Sequence, residues 1–184
     1  AVAPDGSAFE AYYQGERQGR AEWTQLGMHN VHNALAALAA AHHVGVAPAQ
    51  AIAALAEFQG VKRRLEVRGA VNGVVVYDDF AHHPTAIATT LAGLRARVGD
   101  QPIIAVLEPR SNTMKLGVFK DSLGPALKLA DAVVLYQAPD LGWDLGVVAA
   151  ALGSRQQICH SLDATLAAVQ AQAKPGSHVL IMSN

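Results

Sequence analysis

The sequence predicts an α/β protein: a mostly parallel sheet with helices on both faces, preceded by a hairpin and two helices. Three observations carry this expectation. Val74-Val-Val-Tyr-Asp78-Asp79-Phe80-Ala81-His82-His83-Pro84-Thr85 runs from β-branched residues into two carboxylates, two imidazoles and a proline. An apolar run of that kind is a buried parallel strand, and the proline suits the first turn of a following helix. Beyond about Lys62, short apolar runs alternate with helical stretches, the pattern of a parallel sheet with crossover helices. Before that point the pattern differs, with aromatic–polar alternation followed by alanine-rich segments.

Taken in order, Ala8-Phe-Glu-Ala-Tyr-Tyr-Gln14 and Arg20-Ala-Glu-Trp-Thr-Gln-Leu26, with Gly15 and Gly19 between them, predict a hairpin or two edge strands. Alone such a pair is marginal, so it belongs to a larger sheet. Gly27-Met-His29-Asn30-Val-His32-Asn33 opens an alanine-rich helix to about His43, with Gly45 as its stop. Pro48 begins a second helix to about Phe58, and Gln59-Gly60-Val61 is a linker. Leu65–Ala70 and Val74–Tyr77 flank Asn72-Gly73, a strong hairpin signal. The spacing then predicts a helix from Thr85 to Val98, a strand at Ile103–Leu107 and a helix from Lys115 to Leu129. A strand at Ala132–Tyr136, a helix at Leu145–Leu152 and a short strand at Gln157–Cys159 follow. A helix at Leu162–Ala173 and a strand at His178–Met182 complete the series. The expected domains are residues 1–60 and 61–184. The chain opens in a strand-like stretch and stops just past a strand, so it reads as a fragment of a longer protein.

At 184 residues and 51% hydrophobic content a sizeable core is possible. Charged residues are 16% and the formal net charge is −1, which leaves no electrostatic case for nucleic acid or an anionic membrane as partner. No apolar run approaches the ~20 residues of a membrane span. The single cysteine, Cys159, cannot form an internal disulfide and sits in apolar company, as an inert buried thiol would.

The chemistry-bearing residues fall at strand ends and helix starts, where open α/β sheets bind ligands. Asp78 and Asp79 end the first parallel strand. A carboxylate there can accept both hydroxyls of a ribose, or one of the pair caps the following turn. Strand alternation sends the two to opposite faces, so only one of them is expected to be able to serve a ligand. His82 and His83 are candidates for acid/base work or anion binding, against a capping or packing role; adjacent histidines rarely share a metal. Asn30 and Asn33 share a helix face beside His29, and two carboxamides on one face can read an adenine edge, against simple N-capping. In Lys62-Arg63-Arg64 an arginine can clamp a phosphate, against a solvated basic turn. Glu108-Pro-Arg110-Ser111-Asn112-Thr113-Met-Lys115 follows the next strand and offers a guanidinium fork and hydrogen-bonding side chains, against a capped loop. There is no GxxxxGK[ST] loop, no G-x-G-x-x-G fingerprint and no serine nucleophile elbow. If the chain handles ATP, most of the phosphate machinery lies elsewhere.

Three ordered motifs resemble those of the Mur ligase family. Gly27-Met-His29-Asn30-Val-His-Asn33-Ala is similar to a central-domain motif, Gly60-Val-Lys-Arg63-Arg64 to the hinge into the C-terminal domain, and Asp78-Asp79-Phe-Ala-His82-His83-Pro84-Thr85 to the C-terminal nucleotide motif. The resemblance spans the chain. It implies a Rossmann-like C-terminal domain preceded by the last part of the central ATPase domain. It also implies an ATP-dependent, bacterial cytoplasmic enzyme of peptidoglycan synthesis or recycling that builds a peptide bond through an acyl phosphate. Mg²⁺ would be required, its ligands lying outside this chain, so the fragment alone is expected to be inactive. Carried over, His29, Asn30 and Asn33 would contact adenine, Asp79 the ribose, and Arg64 the ribose and phosphates. His82, His83, Arg110, Ser111, Asn112, Thr113 and Lys115 would face the incoming acceptor. Two branches of the family share this form of the nucleotide motif. The Arg110–Lys115 loop resembles the branch that joins L-Ala-γ-D-Glu-meso-diaminopimelate to UDP-N-acetylmuramate. The alternatives are the branch that adds L-alanine, or a non-catalytic nucleotide-binding module.

Overall fold

The structure is a computed structural model that describes residues 1–183. It divides into two compact units, Ala1–Val61 with Ala92–Gly99, and Lys62–Leu91 with the residues from Asp100 onward.

In the first unit, β1 (Ala8–Tyr13) and β2 (Glu16–Glu22) form an antiparallel pair. Gln14 and Gly15 turn between them with φ of 49° and 86°. Positive φ at both central residues matches the twist of the flanking strands. The second strand therefore starts earlier than the glycine pattern suggested and runs through Gly19, where the register shifts opposite Ala11/Tyr12. Glycine suits this position, whose φ is 152° and where a Cβ would lie 3.0 Å from Ile52 Cδ1. Two helices follow, α1 (Met28–His43) and α2 (Pro48–Ala56). Alanine drives α1, and Gly45, with φ 88°, ends it as Val46 N–H closes onto the Ala41 carbonyl at 3.0 Å. Phe9, Ala11, Ala21, Val31, Ala34 and Ile52 form the core, with Trp23, Leu38 and Leu55 packed on it. The Trp23 indole meets Phe9 edge-on at 5.7 Å and donates to the Gly6 carbonyl at 2.9 Å.

In the second unit, β3 (Glu66–Val71) and β4 (Val74–Asp79) are an antiparallel hairpin around Asn72 (φ 50°) and Gly73 (φ 76°). The remaining strands are β5 (Ile103–Leu107), β6 (Ala132–Tyr136), β7 (Gln156–Cys159) and β8 (His178–Met182). The sheet order is β3-β4-β8-β5-β6-β7, and every pair except β3–β4 is parallel. Ile104, Val106, Val134, Cys159 and Val179 pack with Ala168 into one cluster. The alternate residues Ile103, Ala105, Leu107, Val133, Leu135, Leu180 and Met182 are also buried. Neighbours in a strand point to opposite faces, so both faces are covered, as a parallel sheet requires.

The connecting helices are α3 (Pro84–Val98), α4 (Asn112–Lys115), α5 (Lys120–Ala126), α6 (Gly146–Leu152) and α7 (Leu162–Gln172). The helix expected over Lys115–Leu129 is shortened to α5, and a separate short turn of helix, α4, precedes it. Gly117, at φ 70°, turns the chain between α4 and α5, and Pro125 lies inside α5. A hydrogen-bond network ties β4 to the amino end of β8 and to the residues before β5. The Tyr77 hydroxyl lies 3.0 Å from His178 Nδ1, and His178 Nε2 lies 2.8 Å from Gln101 Oε1. Cys159 is a buried free thiol. No helix among the described residues is long and apolar enough to cross a membrane.

Candidate functional site

The second unit gathers its polar loops at the carboxyl ends of β4, β5 and β6. Asp79 at the end of β4 and Leu107 at the end of β5 both pair with Met182 of the intervening β8. The β4–α3 loop, carrying His82 and His83, and the β5–α4 loop, carrying Arg110, thus leave the sheet at one level.

Asp79 is 3% exposed. Its Oδ2 accepts from Leu65 N–H at 2.7 Å and its Oδ1 from Ala81 N–H at 2.7 Å. It staples the turn before β3 to the loop after β4. Of the two candidate carboxylates it is therefore the one that organises backbone. Asp78 is half-buried and lies 3.5 Å from Arg63 Nε.

The turn that Asp79 holds is strained. Arg63 and Leu65 have φ of 57° and 50°, uncommon for residues with side chains. Arg63 N–H donates to Glu66 Oε2 at 2.9 Å, and that bond leads the causes holding the Glu66 carboxyl below its usual range. The Arg63 guanidinium also lies 5.0 Å over the Phe80 ring and donates to the Ser183 carbonyl. Arg64 is exposed, its guanidinium 6.0 Å from the same ring. Of the two arginines, Arg63 is built into the fold and Arg64 is presented to solvent.

His82 Nδ1 lies 3.0 Å from the Phe80 carbonyl and its ring meets Phe80 edge-on at 5.2 Å. His83 is exposed, accepts from Thr85 N–H through Nδ1 at 3.2 Å, and meets Phe119 edge-on at 4.4 Å. His83 thus touches the segment between α4 and α5. Arg110, Asn112 and Thr113 are exposed. Ser111 caps α4, its Oγ accepting from Met114 N–H at 3.4 Å. Lys115 is ion-paired to Asp140 from the β6–α6 loop. The Lys115 hydrogen bond is the main cause that holds the Asp140 carboxyl below its usual range, with Arg110 adding to it.

Sequence reasoning passed over the β6–α6 loop. Trp143 donates its indole N–H to the Met114 carbonyl at 2.7 Å. A Cβ on Gly117 would lie 3.1 Å from Trp143 Cδ1. The available signal was one of the chain's two tryptophans placed among Pro139, Asp140, Gly142 and Asp144, directly after a strand.

In the first unit, Asn30 Nδ2 donates to the Leu26 carbonyl at 2.8 Å and Asn33 Nδ2 lies 3.4 Å from Asn30 Oδ1. Asn30 secures the helix start, and Asn33 is the exposed carboxamide beside it. The His29 ring packs on Gly27, where a Cβ would lie 2.6 Å from its Cε1. Among the described residues, no group of three or more His, Cys, Asp or Glu is arranged to hold a metal ion.

An open, mostly parallel sheet whose polar loops collect at the carboxyl ends of neighbouring strands defines an α/β domain of the kind that generally binds ligands at that edge. Residues 63–184 match the family described as Mur ligase, glutamate ligase domain, and the chain belongs to the Mur ligase family. It is 52% identical over 184 residues to the UDP-N-acetylmuramate–L-alanyl-γ-D-glutamyl-meso-2,6-diaminoheptanedioate ligase of Escherichia coli K12, covering 100% of this chain and 40% of that protein. It is 43% identical over 167 residues to the UDP-N-acetylmuramate–L-alanine ligase of Streptomyces coelicolor, covering 85% and 36%. Among solved structures, a murein peptide ligase from Psychrobacter arcticus matches with a TM-score of 0.70 at 42% identity, covering 100% of this chain and 40% of that one. The UDP-N-acetylmuramate–alanine ligase of Thermotoga maritima matches at 0.74 and 26% identity, covering 92% and 37%. The chain therefore spans about 40% of the length of the tripeptide-ligase relative from E. coli.

Proposed function

We propose that this chain is the C-terminal part of an ATP-dependent ligase that joins L-Ala-γ-D-Glu-meso-diaminopimelate to UDP-N-acetylmuramate in peptidoglycan recycling. The observation that carries the reading is the 52% identity over 184 residues to a ligase named for that acceptor, against 43% over 167 residues for one named for L-alanine.

In this reading the muramate carboxylate takes the γ-phosphoryl group of ATP and becomes an acyl phosphate. The acceptor amine then attacks the carbonyl carbon, and phosphate leaves. ATP supplies the leaving group; the work left to the protein is positioning and charge stabilisation. Residues 61–184 act as the C-terminal domain and residues 1–60 as the end of the central ATPase domain. Asn33, steadied by Asn30 and with His29 beside it, meets the adenine edge. Arg64 offers its solvent-facing guanidinium to ribose and phosphates. Asp79, the residue assigned to the ribose, acts on the nucleotide through the turn it staples. His82, His83, Arg110, Ser111, Asn112, Thr113 and Lys115 line the acceptor side. Arg110 carries a bidentate fork suited to an acceptor carboxylate. Mg²⁺ takes no ligand from this chain, and the chain by itself does not catalyse.

The test is ligation by the full-length protein with UDP-N-acetylmuramate, ATP and Mg²⁺, followed by phosphate release. Release that depends on the tripeptide, with KM for the tripeptide raised at least about tenfold in Arg110→Ala, supports the reading. Release with L-alanine alone moves the chain to the alanine-adding branch, and release with neither acceptor removes the ligase reading.

A further inference from the structure

The β6–α6 loop is built as a strap across the Arg110–Lys115 loop. Its base is closed by Gln137, whose Oε1 accepts from Leu145 N–H at 3.2 Å. Inside it, Leu141 N–H returns to the Ala138 carbonyl at 3.1 Å and Gly146 N–H to Asp144 Oδ1 at 2.8 Å. Two side chains of this strap reach the neighbouring loop. Asp140 pairs with Lys115, and the Trp143 indole N–H holds the Met114 carbonyl at 2.7 Å. The exposed ion pair contributes little. The indole bond is part-buried, and Gly117, lacking a Cβ, lets the ring lie against the backbone that follows α4.

α4 is only four residues long, and Ser111 caps it. So short a helix has almost no stability of its own. What fixes Arg110, Asn112 and Thr113, all exposed, is the anchoring of the turn at both ends. The Ser111 cap serves the amino end; buried Met114, whose carbonyl Trp143 holds, serves the other. A fork on a loop with no second support recognises a carboxylate poorly, because each encounter must order the loop first.

We propose that Trp143 is a positioning residue for acceptor binding: it touches no substrate, and through the Met114 carbonyl it sets the geometry of the Arg110–Lys115 loop. The proposal rests on the reading that this loop receives the acceptor. The loop that follows β6 thereby becomes a determinant of acceptor affinity, while nucleotide affinity does not depend on it.

The experiment uses the full-length protein with Trp143→Phe, which keeps a ring and removes the N–H, and Gly117→Ala, which presses a Cβ into the indole. Steady-state kinetics with the tripeptide are paired with amide hydrogen exchange of residues 108–117. The expected result is KM for the tripeptide raised about three- to tenfold in both variants, with KM for ATP unchanged and exchange faster across Asn112–Gly117 only. Equal rises in both KM values, or unchanged exchange, overturn the proposal. Faster exchange with unchanged tripeptide KM overturns the acceptor role and leaves a structural strap. If the wild-type protein shows no tripeptide-dependent turnover, the underlying reading fails with the acceptor role, and exchange alone then decides the strap.

Discussion

At the scale of single residues, Asp79 shows how a carboxylate at the carboxyl edge of a parallel sheet can be spent on the backbone. Both of its oxygens hold amides, those of Leu65 and Ala81, each at 2.7 Å. Hydrogen bonds to a charged acceptor contribute about 1.5–3 kcal/mol each, and stranded amides lose that and their hydration. Asp79→Ala is expected to destabilise the protein by about 3 kcal/mol. Asp79→Asn keeps one accepting oxygen and turns an NH₂ toward the other amide, so about 2 kcal/mol is expected. Urea unfolding of the full-length variants checks both figures. A role confined to ribose contact would leave the midpoint unchanged and raise only KM for ATP. The sequence showed that two adjacent aspartates at a strand end divide their roles, because alternation sends them to opposite faces. It could not show which one the turn before β3 would claim, since Leu65 and Asp79 lie fourteen positions apart and meet only once the hairpin has closed.

At the scale of elements, the hairpins and the largely buried strands were the most legible parts. β5, β6 and β8 lie where their apolar runs lie, because a strand largely covered on both faces is dominated by apolar residues. Asn72-Gly73 marked its turn by chemistry alone. The first hairpin was harder, since two glycines competed: Gly15 makes the turn, while Gly19 sits mid-strand to clear Ile52. The break between α4 and α5 was missed because Met114, Leu116 and Phe119 continue a helical period that Gly117 interrupts with a left-handed turn. Turn glycines also yield a paired prediction. Gly15→Ala puts a Cβ into open space, whereas Gly73→Ala brings one within 3.3 Å of Pro175 Cα and Cβ. Both force positive φ on alanine, which costs about 1 kcal/mol. Gly15→Ala is expected to lose about that much and Gly73→Ala about 2 kcal/mol, by chemical denaturation; equal losses would mean that the Pro175 contact relaxes freely.

At the scale of the whole molecule, each unit has its own core, and one long-range tie inside the first unit makes its stability depend on pH. Asp5, 6% exposed, accepts from Ser7 N–H at 3.0 Å and from the Ser7 hydroxyl at 2.6 Å, and Arg97, ninety-two positions away, lies 3.2 Å from its Oδ2. Burial pushes this carboxyl up and is the largest single influence; the two Ser7 hydrogen bonds and Arg97 together outweigh it, so its pKa falls below the ordinary 3.8. A carboxyl lowered on folding stabilises the native state fully above its unfolded value and progressively less as pH drops toward its folded one. Wild type is therefore expected to exceed Asp5→Asn in stability at neutral pH, with the margin constant down to about pH 5 and shrinking as pH falls through 3.8. Amide exchange resolved by region should show the margin in residues 1–61 and 92–99 and not in the sheet of the second unit, since local opening energies follow the cooperative unit. A margin that persists undiminished well below pH 3.8 would locate the effect in the neutral hydrogen bonds rather than in the charge. A margin spread equally through β4, β5 and β8 would mean that the two units open as one.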